Sequence, residues 1–265
     1  MQYEFGFVGA GKMGGAIISA LLGATEPGKI LVCDHNEAAR KAFAAKGTAT
    51  SADPAEVAAN CKTVFIAVKP QDFDTLLASI APKAKASQLF VSIAAGKSLK
   101  TMRALLGPRP RLVRVMPNLA AMVGEGMMAY APDASAKPTD IRRVEAVLSK
   151  CGRTLRLEEK FFDAVTALSG SGPAFFAYAM KAMADGAVEI GFPADAAQLL
   201  ALQTMLGTAK YLIETKQDVG AFIKAVCSPK GTTEAGMKVL EKSSVRPALA
   251  KTIAAAARRS AELGA

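Results

Sequence analysis

Short apolar runs and helical apolar stripes alternate through the first part of the chain. Tyr3–Val8 is a strand-sized apolar run that ends in glycines. Residues 13–22 carry the three-to-four-residue apolar spacing of a helix, 29–33 read as a second strand and 37–45 as a second helix. Residues 63–68, 89–93 and 112–116 are further buried-strand candidates, in part β-branched or aromatic. Strands separated by helices predict a mostly parallel sheet with helices on both faces. From about Phe161 strand-like runs stop and Ala, Leu and Met rise. Residues 175–188, Ala194–Thr215, Val219–Val226, 233–240 and 246–263 all read as helices. Gly170, Gly172 and Pro173 punctuate the entry, and Gly191-Phe192-Pro193 separates the first two helices. An α/β domain over residues 1–160 is expected, followed by an all-helical domain over 161–265.

Composition narrows what these domains can be. A chain of 265 residues, 51% hydrophobic, can bury a full core. No uninterrupted apolar stretch reaches membrane-spanning length, so no membrane role is expected. The formal charge of +10 could attract nucleic acid, an acidic membrane or small anions. The basic residues are spread out, Arg142-Arg143 and Arg258-Arg259 being only short pairs, and Trp is absent. Nucleic-acid binding is therefore not expected, and attraction of an anionic cofactor and substrate is. Cys33, Cys61, Cys151 and Cys227 are scattered with no CxxC, and His35 is the one histidine, so no metal site is expected. The cysteines read as core hydrophobes in a reducing compartment. The opening residues, Met1 to Gly11, lack a secretory pattern, and a cytoplasmic location is expected.

Gly9-Ala10-Gly11-Lys12-Met13-Gly14 forms GxGxxG directly after the first strand and at the start of a helix. Gly9 permits a tight turn, Gly11 lets the backbone approach a pyrophosphate, and Gly14 lets the helix pack on the sheet. The pyrophosphate would meet the helix N-terminal amides near Lys12 and Met13. An acidic strand end, Asp34, follows Gly14 by twenty residues. Together these predict a Rossmann-type dinucleotide-binding domain. Asp34 either accepts hydrogen bonds from the adenosine ribose, which favours NAD, or caps the following helix near Asn36 and Glu37. Arg40 could reach a 2′-phosphate, so NADPH and NADH both stand as cofactors. Ala67-Val68-Lys69-Pro70 and the segment from Ser92 through Ala94 to Gly96 end two further strands, where this fold binds ligands. Lys69 reads either as a phosphate or substrate contact or as a solvent-facing strand tip.

The helical half holds two polar punctuations. Ser169-Gly170-Ser171-Gly172-Pro173 reads as a domain junction or as a wall of a substrate pocket. Cys227-Ser228-Pro229-Lys230-Gly231-Thr232-Thr233 lies between two helices, and its amides and hydroxyls could form a nest for a carboxylate. With its one histidine in the nucleotide region, the chain has no His-based triad and no His-Asp hydride relay. A reaction that needs no strong protein acid fits, and reduction of a protonated C=N bond qualifies.

These blocks resemble the pyrroline-5-carboxylate reductase family over essentially the whole length. The likeness runs from Gly6-Phe7-Val8-Gly9 to Ile17, then Ala67-Val68-Lys69-Pro70-Gln71, Arg114-Val115-Met116-Pro117-Asn118 and Val123-Gly124-Glu125-Gly126-Met127. It continues with Val165 to Ala174 and Ser228-Pro229-Lys230-Gly231-Thr232-Thr233, the last two blocks being the specific ones. The resemblance implies reduction of 1-pyrroline-5-carboxylate, a small anionic imine, to L-proline by NADPH or NADH, the final step of proline synthesis. It implies a homodimer interlocked through the helical domain, with higher assemblies of dimers in some members. It also implies that Ser228, Gly231, Thr232 and Thr233 bind the substrate, with the Thr233 hydroxyl facing the ring nitrogen as the catalytic group. Gly9, Gly11, Lys12, Met13, Gly14, Asp34, Asn36, Ala67, Val68, Lys69, Pro70 and Ala94 are the expected cofactor-binding set. The chain departs from the family pattern at Lys230, at Leu119-Ala120 and at Asp34. These bear on the loop geometry, on one wall of the nicotinamide pocket and on cofactor choice.

Two other functions compete. A β-hydroxyacid dehydrogenase would place a Lys in a second-domain helix with an Asn four residues on. Here Lys181 is followed at that spacing by Asp185. A non-catalytic dinucleotide-binding regulator would bind cofactor without turnover.

Overall fold

The glycines after Tyr3–Val8 and the switch from a short apolar run to helical spacing produce a strand followed at once by a helix, and the pattern repeats. The computed structural model describes residues 1–264. In chain order the first half holds β1 (Tyr3–Val8), α1 (Lys12–Leu22), β2 (Ile30–Cys33), α2 (Glu37–Ala44), β3 (Ala49–Ser51) and α3 (Pro54–Asn60). Then come β4 (Cys61–Ile66), α4 (Pro70–Ile80), β5 (Leu89–Ser92), α5 (Leu99–Leu106), β6 (Arg111–Met116), β7 (Gly126–Pro132), α6 (Pro138–Leu148) and β8 (Gly152–Arg156). The strands form one eight-stranded sheet in the order β3-β2-β1-β4-β5-β6-β7-β8. All neighbours are parallel except β6 with β7. This is the Rossmann-type arrangement, with the strand order reversing between β1 and β4.

Both faces of the sheet are covered. Phe7 and Phe65, stacked at 4.7 Å between ring centroids, share one face with Ile17, Ile18 and Leu21 of α1, Phe43 of α2 and Val144 of α6. Val8, Val64 and Ile66 share the other with Val57 of α3, Phe73 and Leu77 of α4 and Met102 of α5. Burial on both sides explains why the central strands read as continuous apolar runs. Three strands carry a weaker strand signal. β3 is a short, half-buried edge segment, β8 is a largely exposed edge, and β7 has no β-branched residue.

The second half holds α7 (Phe162–Val165), a π turn over Thr166–Gly170, α8 (Gly172–Glu189), α9 (Ala194–Thr215), α10 (Val219–Val226), α11 (Thr232–Lys242) and α12 (Val245–Gly264). The described residues divide into two compact units, one of Met1–Ser171 plus residues 256–264, the other Gly172–Ala255. The compact division thus falls inside Ser169–Pro173, some residues beyond the change of texture at Phe161. The cause is packing: Phe162 is buried with Met116 and Ala131, and Gly170 lies so close to the Met116 methyl that a Cβ would sit 2.5 Å from it.

The second unit has little interior of its own. In α8 only Gly172 is buried, in α9 only Ala197, and in α10 and α11 no residue is. Phe176, Tyr178, Met183, Leu199 and Leu206 are all more than half exposed. Helices gain most of their stability by burying an apolar face, so this surface needs a partner. The chain is expected to sediment as a dimer or a multiple of one at assay concentration. An active monomer there would overturn this.

Candidate active site

Sheet register brings several of the expected cofactor-binding residues together. Val8 pairs with Cys33 on one side and Ile66 on the other, so the next residues, Gly9, Asp34 and Ala67, leave the sheet at one edge. The Gly9 amide donates to the Cys33 carbonyl and the Ala67 amide to the Val8 carbonyl, each at 2.8 Å. Gly9 has φ +100°, and a Cβ there would lie 2.5 Å from the Ala67 carbonyl oxygen. A Cβ on Gly14 would lie 2.3 Å from the Gly9 carbonyl oxygen. Both glycines are thus demanded by the protein itself. Gly11 is not: its φ is −66° and a Cβ would meet no atom within 4 Å.

Gly11 is the N-cap of α1, which has no side-chain cap. The first intrahelical bond runs from the Gly15 amide to the Gly11 carbonyl, leaving the Lys12, Met13 and Gly14 amides ahead of it. An uncapped helix start behind an open glycine suits a pyrophosphate. The Ala10 amide is taken, donating to Asp34 Oδ2 at 2.7 Å, while the Asn36 amide donates to Asp34 Oδ1 at 2.8 Å. Asp34 is therefore not the cap of α2. That part falls to Asn36, whose side chain accepts from the Ala38 amide at 2.9 Å. Arg40 Nη1 donates to the Asp34 and His35 carbonyls at 2.7 and 3.1 Å.

Gly9, Gly11, Asp34, Ala67, Val68 and Lys69 line one cleft of about 600 Å³. Lys69 is exposed at the strand tip and lines this cleft. Lys12 and Asn36 line a neighbouring groove with Gly11. Met13 packs against the core, Pro70 opens α4 as its first residue, and Ala94 is buried in the loop after β5. His35, Ala52, Pro54, Gln71, Asp72 and Leu76 also line the cleft. The sequence signals for these were the starts Asp53-Pro54 and Lys69-Pro70 of α3 and α4, both with Pro at the first helical position.

In the second unit, residues 227–231 connect α10 to α11. Lys230 has φ +58°, a left-handed conformation that costs a side-chain-bearing residue about 1 kcal/mol. The turn is kept nonetheless. The Lys230 amide donates to Glu234 Oε2 at 2.7 Å, and the Gly231 amide to the Ser228 carbonyl at 3.0 Å. Lys238 and that Lys230 amide hold the Glu234 carboxyl below the usual carboxylate range. Two amides of the expected nest are thus used internally, which narrows the donor set. Gly231 serves by lacking a Cβ, since one would lie 2.3 Å from Ser228 Oγ. α11 begins at Thr232 with no side-chain cap, and its first internal bond is from the Ala235 amide to Gly231. The Thr232, Thr233 and Glu234 amides precede it, and Ser228, Thr232 and Thr233 supply hydroxyls within the same short stretch of chain. Lys181 on α8 is exposed and paired with Asp185 at 2.6 Å, and the Asn that a β-hydroxyacid dehydrogenase would place there is an Asp.

Comparison with known proteins agrees with this layout. Residues 159–263 match the family model for pyrroline-5-carboxylate reductase dimerisation, and residues 4–96 match that for NADP oxidoreductase coenzyme F420-dependent. The chain is 39% identical over 264 residues to the pyrroline-5-carboxylate reductase of Methanosarcina acetivorans, covering 98% of each. It matches the structure of a pyrroline-5-carboxylate reductase from Coxiella burnetii at 29% identity and a TM-score of 0.94, over 100% of both chains. It matches that of Plasmodium falciparum pyrroline carboxylate reductase with NADP bound at 27% identity and a TM-score of 0.88, again over 100% of both. With a Rossmann-type unit, an uncapped helix start behind its glycine turn and this likeness over its whole length, the chain is an enzyme that belongs to the pyrroline-5-carboxylate reductase family.

Proposed function

We infer that the chain reduces the C=N bond of 1-pyrroline-5-carboxylate to L-proline, with NADH as the preferred donor. The observation that carries the substrate side is the uncapped, hydroxyl-rich start of α11. The substrate carboxylate takes the Thr232, Thr233 and Glu234 amides, and the Thr233 hydroxyl takes the ring nitrogen. The iminium arrives protonated, so its carbon accepts hydride and its nitrogen regains a lone pair without a proton from the protein. When bound, the reduced dinucleotide supplies that hydride. Residues Lys12 to Gly14 hold its pyrophosphate through their amides. The enzyme works as a dimer or an assembly of dimers, in the cytoplasm. A reducing compartment suits Cys33, Cys61, Cys151 and Cys227, all of them free thiols.

The cofactor preference follows from charge. The Asp34 carboxylate is fixed by two amides and lines the cleft, whose other charged residues include Asp72 and Lys69 but no arginine. Two carboxylates disfavour a 2′-phosphate there, and ribose hydroxyls can donate to Asp34. Arg40, drawn onto two backbone carbonyls, does not offset them. Proline formation with each reduced cofactor tests both parts. NADH is expected to give the higher kcat/KM. Asp34→Ser is expected to move the NADH/NADPH ratio toward NADPH by about tenfold, one carboxylate repulsion removed. An unchanged ratio would mean that Asp34 serves only the glycine loop. No proline with either cofactor would overturn the function.

A further inference from the structure

The last turns of α12 pack on the first unit, against the loop that follows β5. Gly96 in that loop has φ +75°, and a Cβ there would lie 3.2 Å from the Leu263 carbonyl oxygen. Gly264 answers it: a Cβ there would lie 3.0 Å from the Gly96 carbonyl oxygen. Two bare backbone segments are thus in direct contact. Ser260, 5% exposed, donates its hydroxyl to Asp163 Oδ1 at 2.7 Å and anchors this end of the helix. Asp163 follows the buried Phe162, whose ring lies 4.7 Å under the Arg114 guanidinium. Arg114 pairs with Glu159 at 2.9 Å, and Glu159 accepts the Leu99 amide at 2.7 Å. A cavity of about 190 Å³ between Gly96, Ser98, Arg114, Asp163, Ala261 and Gly264 is closed on one side by the C-terminal turn.

The Ala94 amide donates to Ser92 Oγ at 3.2 Å and Lys97 Nζ pairs with Asp74 at 2.7 Å, so the loop is tied at both ends, while Ala95 and Gly96 between them make no such bond among the described residues. The Ile93 amide donates to the Ile66 carbonyl at 3.1 Å, joining the loop to the strand end that leads into Ala67, Val68 and Lys69. The Lys97 amide reaches the Ala94 carbonyl only at 3.5 Å. What presses on its outer side is the Leu263-Gly264 backbone.

We propose that the C-terminal turn, residues 260–264, is a positioning element for the dinucleotide site. It braces the Ala94–Gly96 loop and, through the Ile93–Ile66 bond, the strand end that leads into the cleft residues Ala67, Val68 and Lys69. Leu263 and Gly264 act through Gly96 and touch no reacting atom. Small displacements of a supporting shell degrade a site out of proportion to their size. The proposal rests on the strand ends of the first unit holding the dinucleotide.

The test uses the enzyme shortened to end at Ser260, beside the full chain, with NADH affinity read by fluorescence titration. Kd and KM for NADH are expected to rise roughly three- to tenfold. kcat should change by less than about twofold, with the thermal midpoint and oligomeric state kept. Gly96→Ala should weaken NADH binding in the full chain and cost less in the shortened one, where the Leu263 carbonyl is gone. Ser260→Ala in the full chain should give a smaller loss in the same direction, restored by Ser260→Thr. Gly11→Val separates the two ideas. NADH binding lost in Gly11→Val but unchanged in the shortened and Ser260→Ala enzymes overturns the proposal and leaves the dinucleotide site standing. Binding retained in a folded Gly11→Val overturns both. If the shortened chain does not fold, unchanged NADH constants in Ser260→Ala overturn the proposal.

Discussion

Replacing Gly11 with valine is expected to abolish dinucleotide binding in a chain that still folds. The three fingerprint glycines differ in what a side chain would meet. Substitution at Gly9 or Gly14 drives a Cβ into backbone at 2.5 and 2.3 Å, so loss of binding there would be confounded by damage to the fold. At Gly11 the backbone is in an ordinary region and the space beyond it is open, so the protein tolerates the valine. The ligand does not, because the pyrophosphate must come against that backbone to reach the Lys12, Met13 and Gly14 amides. The Kd for NADH should rise by at least about a hundredfold, roughly 2.8 kcal/mol. Circular dichroism and the thermal midpoint should stay near those of the parent. Unchanged affinity in such a folded variant would remove the pyrophosphate from this position.

Thr233→Ala should lower kcat/KM for the imine by roughly ten- to a hundredfold, about 1.4 to 2.8 kcal/mol of transition-state stabilisation. Thr233 is the second residue of α11 and is half-buried. A lysine beside the ring nitrogen would repel an iminium, and a carboxylate would stabilise its charge but blunt its reactivity toward hydride. A threonine hydroxyl hydrogen-bonds without imposing charge, and its methyl restricts the rotamer. Glu234, the next residue, has its carboxylate engaged by Lys238 and the Lys230 amide. Thr233→Ser keeps the hydroxyl and should retain much more activity than Thr233→Ala. NADH affinity should barely move in either, because the proposed pyrophosphate amides belong to α1. Steady-state rates with fluorescence titration decide it. Full efficiency in Thr233→Ala would leave Thr233 as a helix-start residue and pass the role to Thr232 or Ser228.

Much of this was legible in the chain itself. Tyr3–Val8 followed by GxGxxG and a helical stripe reads as strand, turn and helix, with Gly9 and Gly14 meeting steric demands of the turn and Gly11 leaving the helix start open. Central strands buried on both faces announce themselves as unbroken apolar runs, and α9 and α10 begin and end where the helical spacing does. The polar loop before Thr233 was visible as a break between two helices. Local rules governed these features. Other features depended on partners distant in sequence. β8 and β3 are strands because a neighbour supplies their hydrogen bonds, not because of their side chains. Asp34 could have capped α2, and only the fold, by bringing the Ala10 amide within 2.7 Å, turned its carboxylate to the glycine loop. The expected carboxylate nest at 228–232 was thinned by Glu234, one helical turn ahead, taking the Lys230 amide. The residues after Ala256 read simply as the end of a helix, yet they pack with the first unit because Ser260 finds Asp163, far back along the chain. Sequence pattern determines where a segment is strand, helix or turn. Which of several possible partners a polar side chain takes is decided by which backbone amides tertiary packing leaves free and within reach.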